Sequence, residues 1–257
     1  MTSQSPVLET RDLTINFGGH YAVNQVSCAF YPGTLTSIVG PNGAGKTTWF
    51  NLISGQLKAT AGSVHLFGED ITRLSAPARA DKGLGRAFQL TNLFPNLTVL
   101  ENVRLAVASR HRTGYNFWQM ASRRRDIIDR AMQFLEQVQL GKRAEYLVAG
   151  LPHGDQRKLE VAMLLALEPE VFMFDEPTAG MSVDEVPVIL ELIADIKRKQ
   201  DKVILLVEHK MDVVRSLSDR IVVLHNGELV ADGEPAEVIA SPVVQEAYLG
   251  TPQQAAG

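Results

Sequence analysis

The sequence predicts an α/β fold in which a phosphate-binding core carries an antiparallel β-subdomain and is interrupted by an inserted α-helical subdomain. Three observations lead there. The stretch Gly40–Thr48 reads GPNGAGKTT, with the spacing of a Walker A loop, and it stands between a buried-strand run (Thr34–Val39) and a helical run (Thr47–Gly55). From Val171 onward, short apolar runs alternate with helical patterns, which is the mark of a parallel sheet. Between about 90 and 154 the strand signals give way to helical ones.

The elements follow in order. Val7–Phe17 and Tyr21–Phe30 alternate apolar and polar residues, as strands exposed on one side do. After the loop and its helix, Ser63–Gly68 and Leu84–Gln89 read as short strands around a small helix at Ser75–Lys82. Thr98-Val-Leu-Glu101 is a capping box that opens a helix through Ser109. A longer helix covers Phe117–Gln139 and stops at Gly141, and a third covers Asp155–Leu167. Then come strand Val171–Phe174, helix Val183–Lys199, strand Val203–Val207, helix Met211–Ser218 and strand Ile221–Leu224. Asn226-Gly227 is a hairpin turn that pairs Ile221–His225 with Glu228–Gly233, and Ser241–Gly250 forms a short terminal helix. The expected organisation is one domain over 6–250, with its core in 6–89 and 155–250, its helical subdomain in 90–154 and a tail at 251–257.

Composition narrows the function classes. With 45% hydrophobic and 21% charged residues, the 257-residue chain is ordinary for a soluble globular protein. No apolar run approaches the ~20 residues that span a bilayer. Met1–Thr10 lacks the basic flank and apolar stretch of a signal peptide, so the expected location is the cytosol. The single cysteine, Cys28, excludes an internal disulfide, and the six histidines show no metal-ligand spacing. A net charge of −4 gives no general attraction to nucleic acid or anionic lipid. The basic clusters Arg123–Arg125 and Lys197–Lys199 read as solvated helix faces.

The chemistry lies in a series of short motifs. Glycines let the backbone wrap an anion, successive N–H groups form a nest, and the following helix adds the positive end of its dipole. Gly40, Asn42, Gly43, Ala44, Gly45, Lys46, Thr47 and Thr48 are therefore the candidate nucleoside-triphosphate-binding residues. Lys46 reaches the β- and γ-phosphates, and the Thr47 hydroxyl ligates Mg²⁺. Four apolar residues ending in Asp175-Glu176 form a Walker B strand. Asp175 is the candidate Mg²⁺ ligand, and Glu176 the group that polarises the attacking water. Gln89 and His209 each close a strand; alone each carries little, but their order along the chain carries more.

Walker A, Gln89, Leu151–Glu160 (LPHGDQRKLE), Walker B and His209 stand in the order found in ATP-binding cassette (ABC) ATPases. Over about Val7–Gly250 the chain resembles the ATP-binding subunit of an ABC importer with a RecA-like core. It is most similar to those serving branched-chain (hydrophobic) amino acids, through FGGHYAVNQVS, the long insertion, DEPTAGM, VEHKM and the terminal YLG. The resemblance implies roles. Phe17 stacks on adenine; Gln89 senses the γ-phosphate and Mg²⁺ and touches the permease; His209 orients the γ-phosphate and water. Leu151, Pro152, His153, Gly154, Asp155 and Gln156 form a signature that contacts ATP held by a second ATP-binding subunit, alike or paralogous. Leu93, Phe94 and Leu97 receive a permease helix, with packing inside the helical insertion as the competing reading. The implied setting is the cytoplasmic face of the inner membrane, as a peripheral subunit beneath permease subunits that an extracytoplasmic solute-binding protein feeds.

The chain departs from the family pattern at three places. The signature reads Leu-Pro-His-Gly-Asp where the family has Leu-Ser-Gly-Gly-Gln, and Pro152 offers neither a hydroxyl nor an N–H. Proline is tolerated at a helix start, so two readings stand: drift allowed in this branch, or an impaired shared site. Ser182 stands where the loop after Walker B usually carries aspartate, and Lys210 where an acid often follows the switch histidine. Other functions remain open at this point. A lipopolysaccharide-export ATPase shares the YLG ending, a non-transport ABC ATPase acts on nucleic acid, and a nucleotide kinase shares the loop.

Overall fold

The computed structural model describes residues 5–87, 93–110 and 120–249, with side chains for all of these except 120–124 and 247–249. The chain divides into two compact units: one runs to Leu84 and adds Glu170–Glu176 and the chain from Lys197, the other holds Gly85–Pro169 and Pro177–Ile196.

The first unit contains two sheets. Strands β1 (Leu8–Phe17), β2 (His20–Phe30), β4 (Ala61–Leu66) and β5 (Glu69–Asp70) form an antiparallel sheet in the order β2-β1-β4-β5. The expected alternation of β1 is broken by register shifts between Thr10 and Leu13 and again at Ile15, around a left-handed Asp12. Strands β3 (Leu35–Val39), β7 (Val171–Asp175), β8 (Val203–Val207) and β9 (Arg220–His225) run parallel. Every residue of β3, β7 and β8 is buried. Burial on both faces is why these strands read as unbroken apolar runs. Strand β10 (Glu228–Gly233) pairs antiparallel with β9, giving the order β10-β9-β3-β8-β7, and Leu84, the first residue of β6 (Leu84–Ala87), ends this stretch of the unit. Asn226 and Gly227 both take positive φ, 51° and 80°, as a two-residue hairpin of the right twist requires.

Helix α1 (Lys46–Ser54) buries Trp49, Phe50, Leu52 and Ile53 in one core with Leu8, Phe30, Met173 and Leu205. Its last carbonyls are met by Arg79 of the short helix α2 (Ala76–Asp81), a guanidinium only 2% exposed. Arg79 donates to Leu52 O and Ile53 O at 2.7 and 2.6 Å and to Thr72 O at 2.7 Å. A cation at a helix C-terminus complements the dipole, so Arg79 pins the far end of the helix that carries the loop. Helices α7 (Met211–Leu217), α8 (Pro235–Ala240) and α9 (Pro242–Leu249) complete this unit, and Val214, Val238 and Val244 join Val39, Ile221 and Val223 in a smaller core.

In the second unit lie α3 (Val99–Arg110), α4 (Met120–Gln137), α5 (His153–Leu167) and most of α6 (Val186–Arg198). The capping box of α3 is reciprocal: Thr98 N–H donates to Glu101 Oε2 at 3.0 Å, and Glu101 N–H donates to Thr98 Oγ1 at 3.1 Å. Helix α5 starts two residues before the expected Asp155, because Pro152 serves as its N-cap. Helix α6 starts at Val186, since 182–185 form a turn closed by Glu185 N–H on Ser182 O. Its basic end is less solvated than the sequence suggests. Lys197, counted with the first unit, is paired with Asp219 at 2.7 Å and donates to Leu217 O.

Candidate functional site

The loop is built by close approach. Strand β3 delivers the chain into Gly40, where a Cβ would lie 2.1 Å from Leu224 O. Gly45, left-handed at φ 97°, caps α1, and a Cβ there would meet Ala22 O at 2.4 Å. No other residue fits at either place. Above Gly43 the opposite holds: a Cβ would meet nothing within 4 Å, which leaves open space over the middle of the loop. Ala44 is held from behind, its carbonyl accepting from Gly227 N at 3.0 Å, while Gly227 O accepts from Asn24 N at 2.8 Å. The β9–β10 hairpin thus fastens the loop to β2. Sequence reasoning found the hairpin but not this use of it.

Lys46 is 6% exposed, and its Nζ donates to Gly40 O at 2.7 Å and Pro41 O at 2.9 Å. Burial lowers its pKa, opposed by the charges of Glu176 and Asp175. Thr47 and Thr48 are half-buried in the first turn of α1, and Asn42 is exposed. Phe17, at the end of β1, is 53% exposed.

The parallel register places the acids. Asp175 stands opposite Val207, so β7 and β8 end side by side. Asp175 is buried at 4% exposure. Glu176 follows β7 directly, and His209 follows β8 after the buried Glu208. Glu176 adopts φ 50° with its N–H bonded to Val207 O at 2.9 Å, a left-handed backbone that is costly for a non-glycine residue and clusters at functional sites. His209 Nε2 and Glu176 Oε1 are 2.6 Å apart, and both side chains are about two-fifths open to solvent. Two residues 33 apart in sequence are thereby joined as a hydrogen-bonded pair. Gln89 lies outside the described residues.

No group of three or more histidine, cysteine, aspartate or glutamate side chains able to hold a metal occurs among the described residues. Mg²⁺ asks for less: one or two hard protein oxygens, with phosphate and water completing its shell. The Thr47 hydroxyl and Asp175 carboxylate are donors of that kind, and the open space over Gly43 suits an anion that would bring the remaining oxygens.

The signature residues occupy the second unit. Leu151 is buried, while Pro152 and His153 are exposed at the start of α5. Gln156 bonds back to Leu151 O at 2.9 Å. Gly154 is buried, and so is Asp155, whose carboxylate is held by Arg143 and by Lys158 at 3.3 Å. Elsewhere in this unit, 95–99 runs beside 146–149, with Val99 N on Tyr146 O, Val148 N on Leu97 O and Ala149 N on Pro95 O. The fully buried Asn102 fixes the same segment through Phe94 N and O. Phe94, Tyr146 and Leu147 are all about half exposed. Only Phe94 was legible as a surface residue of interest, because the pairing with 146–149 spans 50 residues. Leu93 and Leu97 do not share its exposure.

The family profile described as ABC transporter matches residues 23–179, and one described as Branched-chain amino acid ATP-binding cassette transporter matches 228–253. The high-affinity branched-chain amino acid transport ATP-binding protein LivG of Escherichia coli (strain K12) is 39% identical over 95% of this chain and 98% of its own length. BraF of Pseudomonas aeruginosa, of the same description, shows the same identity and coverage. Among solved structures, an ATP-binding cassette of an ABC transporter in its ADP conformation superposes with a TM-score of 0.80 at 28% identity, covering 96% of this chain and 100% of its own. A dimeric bacterial ABC transporter cassette gives 0.78 at 26% identity, over 89% of this chain and 98% of its own.

Proposed function

The chain belongs to the ABC transporter family, whose transporter ATP-binding proteins are ATPases, and from that premise we propose that it hydrolyses Mg·ATP at Gly40–Thr48 to drive import of branched-chain amino acids. The observation that carries the proposal is the Glu176–His209 pair at 2.6 Å, set at the ends of adjacent strands in the unit that also holds the loop. Water attack on a phosphoryl group needs charge neutralisation and positioning more than covalent chemistry. Lys46 exchanges its bonds to Gly40 O and Pro41 O for phosphate oxygens. Glu176 accepts the proton of the attacking water, and His209, hydrogen-bonded to Glu176, holds the water and γ-phosphate in line. Thr47 and Asp175 would hold Mg²⁺, with Gln89 as the further ligand that the family resemblance implies; the ion would supply neutralisation of the developing charge. Phe17 stacks on the adenine.

A second ATP-binding subunit, a copy or a paralogue, completes the site. Leu151–Gln156 of each chain meets the ATP of the other. Pro152 contributes no hydroxyl and no N–H, but it leaves intact the first-turn N–H groups of α5, which have no carbonyl within the helix to bond. The reading of permitted drift follows from that preserved helix start. Phe94, with Tyr146 and Leu147, receives a permease helix at the cytoplasmic face of the inner membrane, and an extracytoplasmic binding protein delivers the solute. None of the helices among the described residues is long and apolar enough to cross a membrane.

Reconstitution of the chain with its membrane subunits and binding protein tests this reading. ATP-dependent leucine uptake that disappears with Lys46→Met is the expected result. ATPase activity stimulated by a solute of another class, with no uptake of leucine, isoleucine or valine, overturns the substrate assignment. Failure to co-purify with any permease overturns the transport role.

A further inference from the structure

The start of α5 is bound to the segment that follows Glu176 by an ionic ladder whose middle members, Lys158 and Asp155, are buried, and whose ion pairs none of the roles above uses. All of it lies within the second unit. Glu185 immediately precedes α6 and stands nine residues after Glu176. Its carboxylate lies directly on Gly154: a Cβ on that glycine would be 2.3 Å from Oε2 and 2.6 Å from Oε1. The same carboxylate accepts from Lys158 Nζ at 3.1 Å, from Ser182 Oγ at 2.9 Å and from Ser182 N at 3.2 Å. Lys158, with 9% of its side chain exposed, continues to Asp155 at 3.3 Å, and Asp155 continues to Arg143. Two acids and two bases alternate, so each charge has an opposite neighbour, and removal of one leaves a buried partner short.

We propose that Glu185 is a positioning residue that locks the signature segment Leu151–Gln156 to the loop Pro177–Glu185, so that the segment this chain offers to its partner subunit holds one fixed arrangement. The proposal rests on the shared-site reading above. It gives a physical reason for glycine at 154, where the missing side chain admits the carboxylate, and for serine at 182, whose hydroxyl and N–H both bind Glu185. It also supplies an anchor for a helix whose cap is a proline without a side-chain capping bond. A carboxylate at the first turn of α5 complements the helix dipole.

The test uses the full chain with Glu176→Gln, which slows hydrolysis and lets ATP-driven association be measured by analytical ultracentrifugation, with Mg·ATP affinity of the monomer measured separately. Glu176→Gln alone associates on ATP. Adding Glu185→Gln weakens association about tenfold while monomer affinity is unchanged, a coupling of ordinary size for linked sites. Gly154→Ala reproduces the defect by displacing the carboxylate, and Glu185→Asp restores part of the association. Full association in Glu176→Gln/Glu185→Gln overturns the proposal and leaves the shared site standing. Equal loss of monomer affinity marks general damage and also overturns it. No association by Glu176→Gln itself overturns the shared-site reading, and the proposal with it.

Discussion

Gly227 and Gly68 form a matched pair for testing how the loop is held. Their φ values are nearly equal, +80° and +78°, so alanine at either incurs the same left-handed backbone cost of about 1–2 kcal/mol. What their Cβ atoms would meet differs. At Gly68 there is nothing within 4 Å; at Gly227 the Cβ would lie 2.9 Å from Ala22 O, 3.0 Å from Ala22 C and 3.1 Å from Tyr21 O, all backbone atoms of β2. Overpacking of this kind costs a further ~1–3 kcal/mol because strand or hairpin tip has to move. Gly68→Ala should therefore cost about 1–2 kcal/mol and Gly227→Ala about 2–5 kcal/mol. At roughly 2–4 °C per kcal/mol for a chain this long, thermal unfolding without nucleotide separates the two variants. The displaced tip also carries the N–H that holds Ala44 O at 3.0 Å, so Gly227→Ala alone should weaken Mg·ATP binding in a fluorescent-nucleotide titration. Equal melting and equal affinity in the two variants would refute the claim that the hairpin fastens the loop.

Three further outcomes are expected. Lys46→Met should lower nucleotide affinity by about 10- to 100-fold, the loss of one charge-assisted contact at ~1.5–3 kcal/mol, with circular dichroism unchanged. Phe94→Asp should abolish co-purification with the permease while Mg·ATP affinity stays at the wild-type value, since Phe94 is half exposed in the unit that lacks the loop. Burial pushes the Glu185 carboxyl up, yet its bonds from Lys158 and Ser182 prevail and hold it below the ordinary 4.5. A depressed acid stabilises the fold above its unfolded pKa and loses that contribution as pH falls through the folded one. The stability gap between wild type and Glu185→Gln, measured in urea, should thus hold steady from neutral pH to about 5 and narrow below 4.5.

What the sequence disclosed was local. The loop spacing, the capping box at Thr98 and Glu101, the Asn226-Gly227 turn and the apolar runs of β3, β7 and β8 each depend on neighbours a few residues away. Composition could not disclose contacts that the fold makes across long separations. Arg79 reads as a surface arginine on a short polar helix, and only the packed chain shows it inside, on the last carbonyls of α1. Gly154 reads as a signature glycine, whereas its neighbour Glu185 is 31 residues away. Helix α8 was missed because Pro235 and Glu237 in a six-residue stretch give too little periodicity to register. The ordering of Asp175, Glu176 and His209 was legible, while the strand register that joins the last two was not.

Single-turnover and steady-state ATP hydrolysis by Glu176→Gln in the reconstituted transporter bears most directly on the central claim. ATP should bind with wild-type affinity and be retained, while turnover falls by at least about 100-fold, as loss of a general base entails. Wild-type turnover by Glu176→Gln would contradict it.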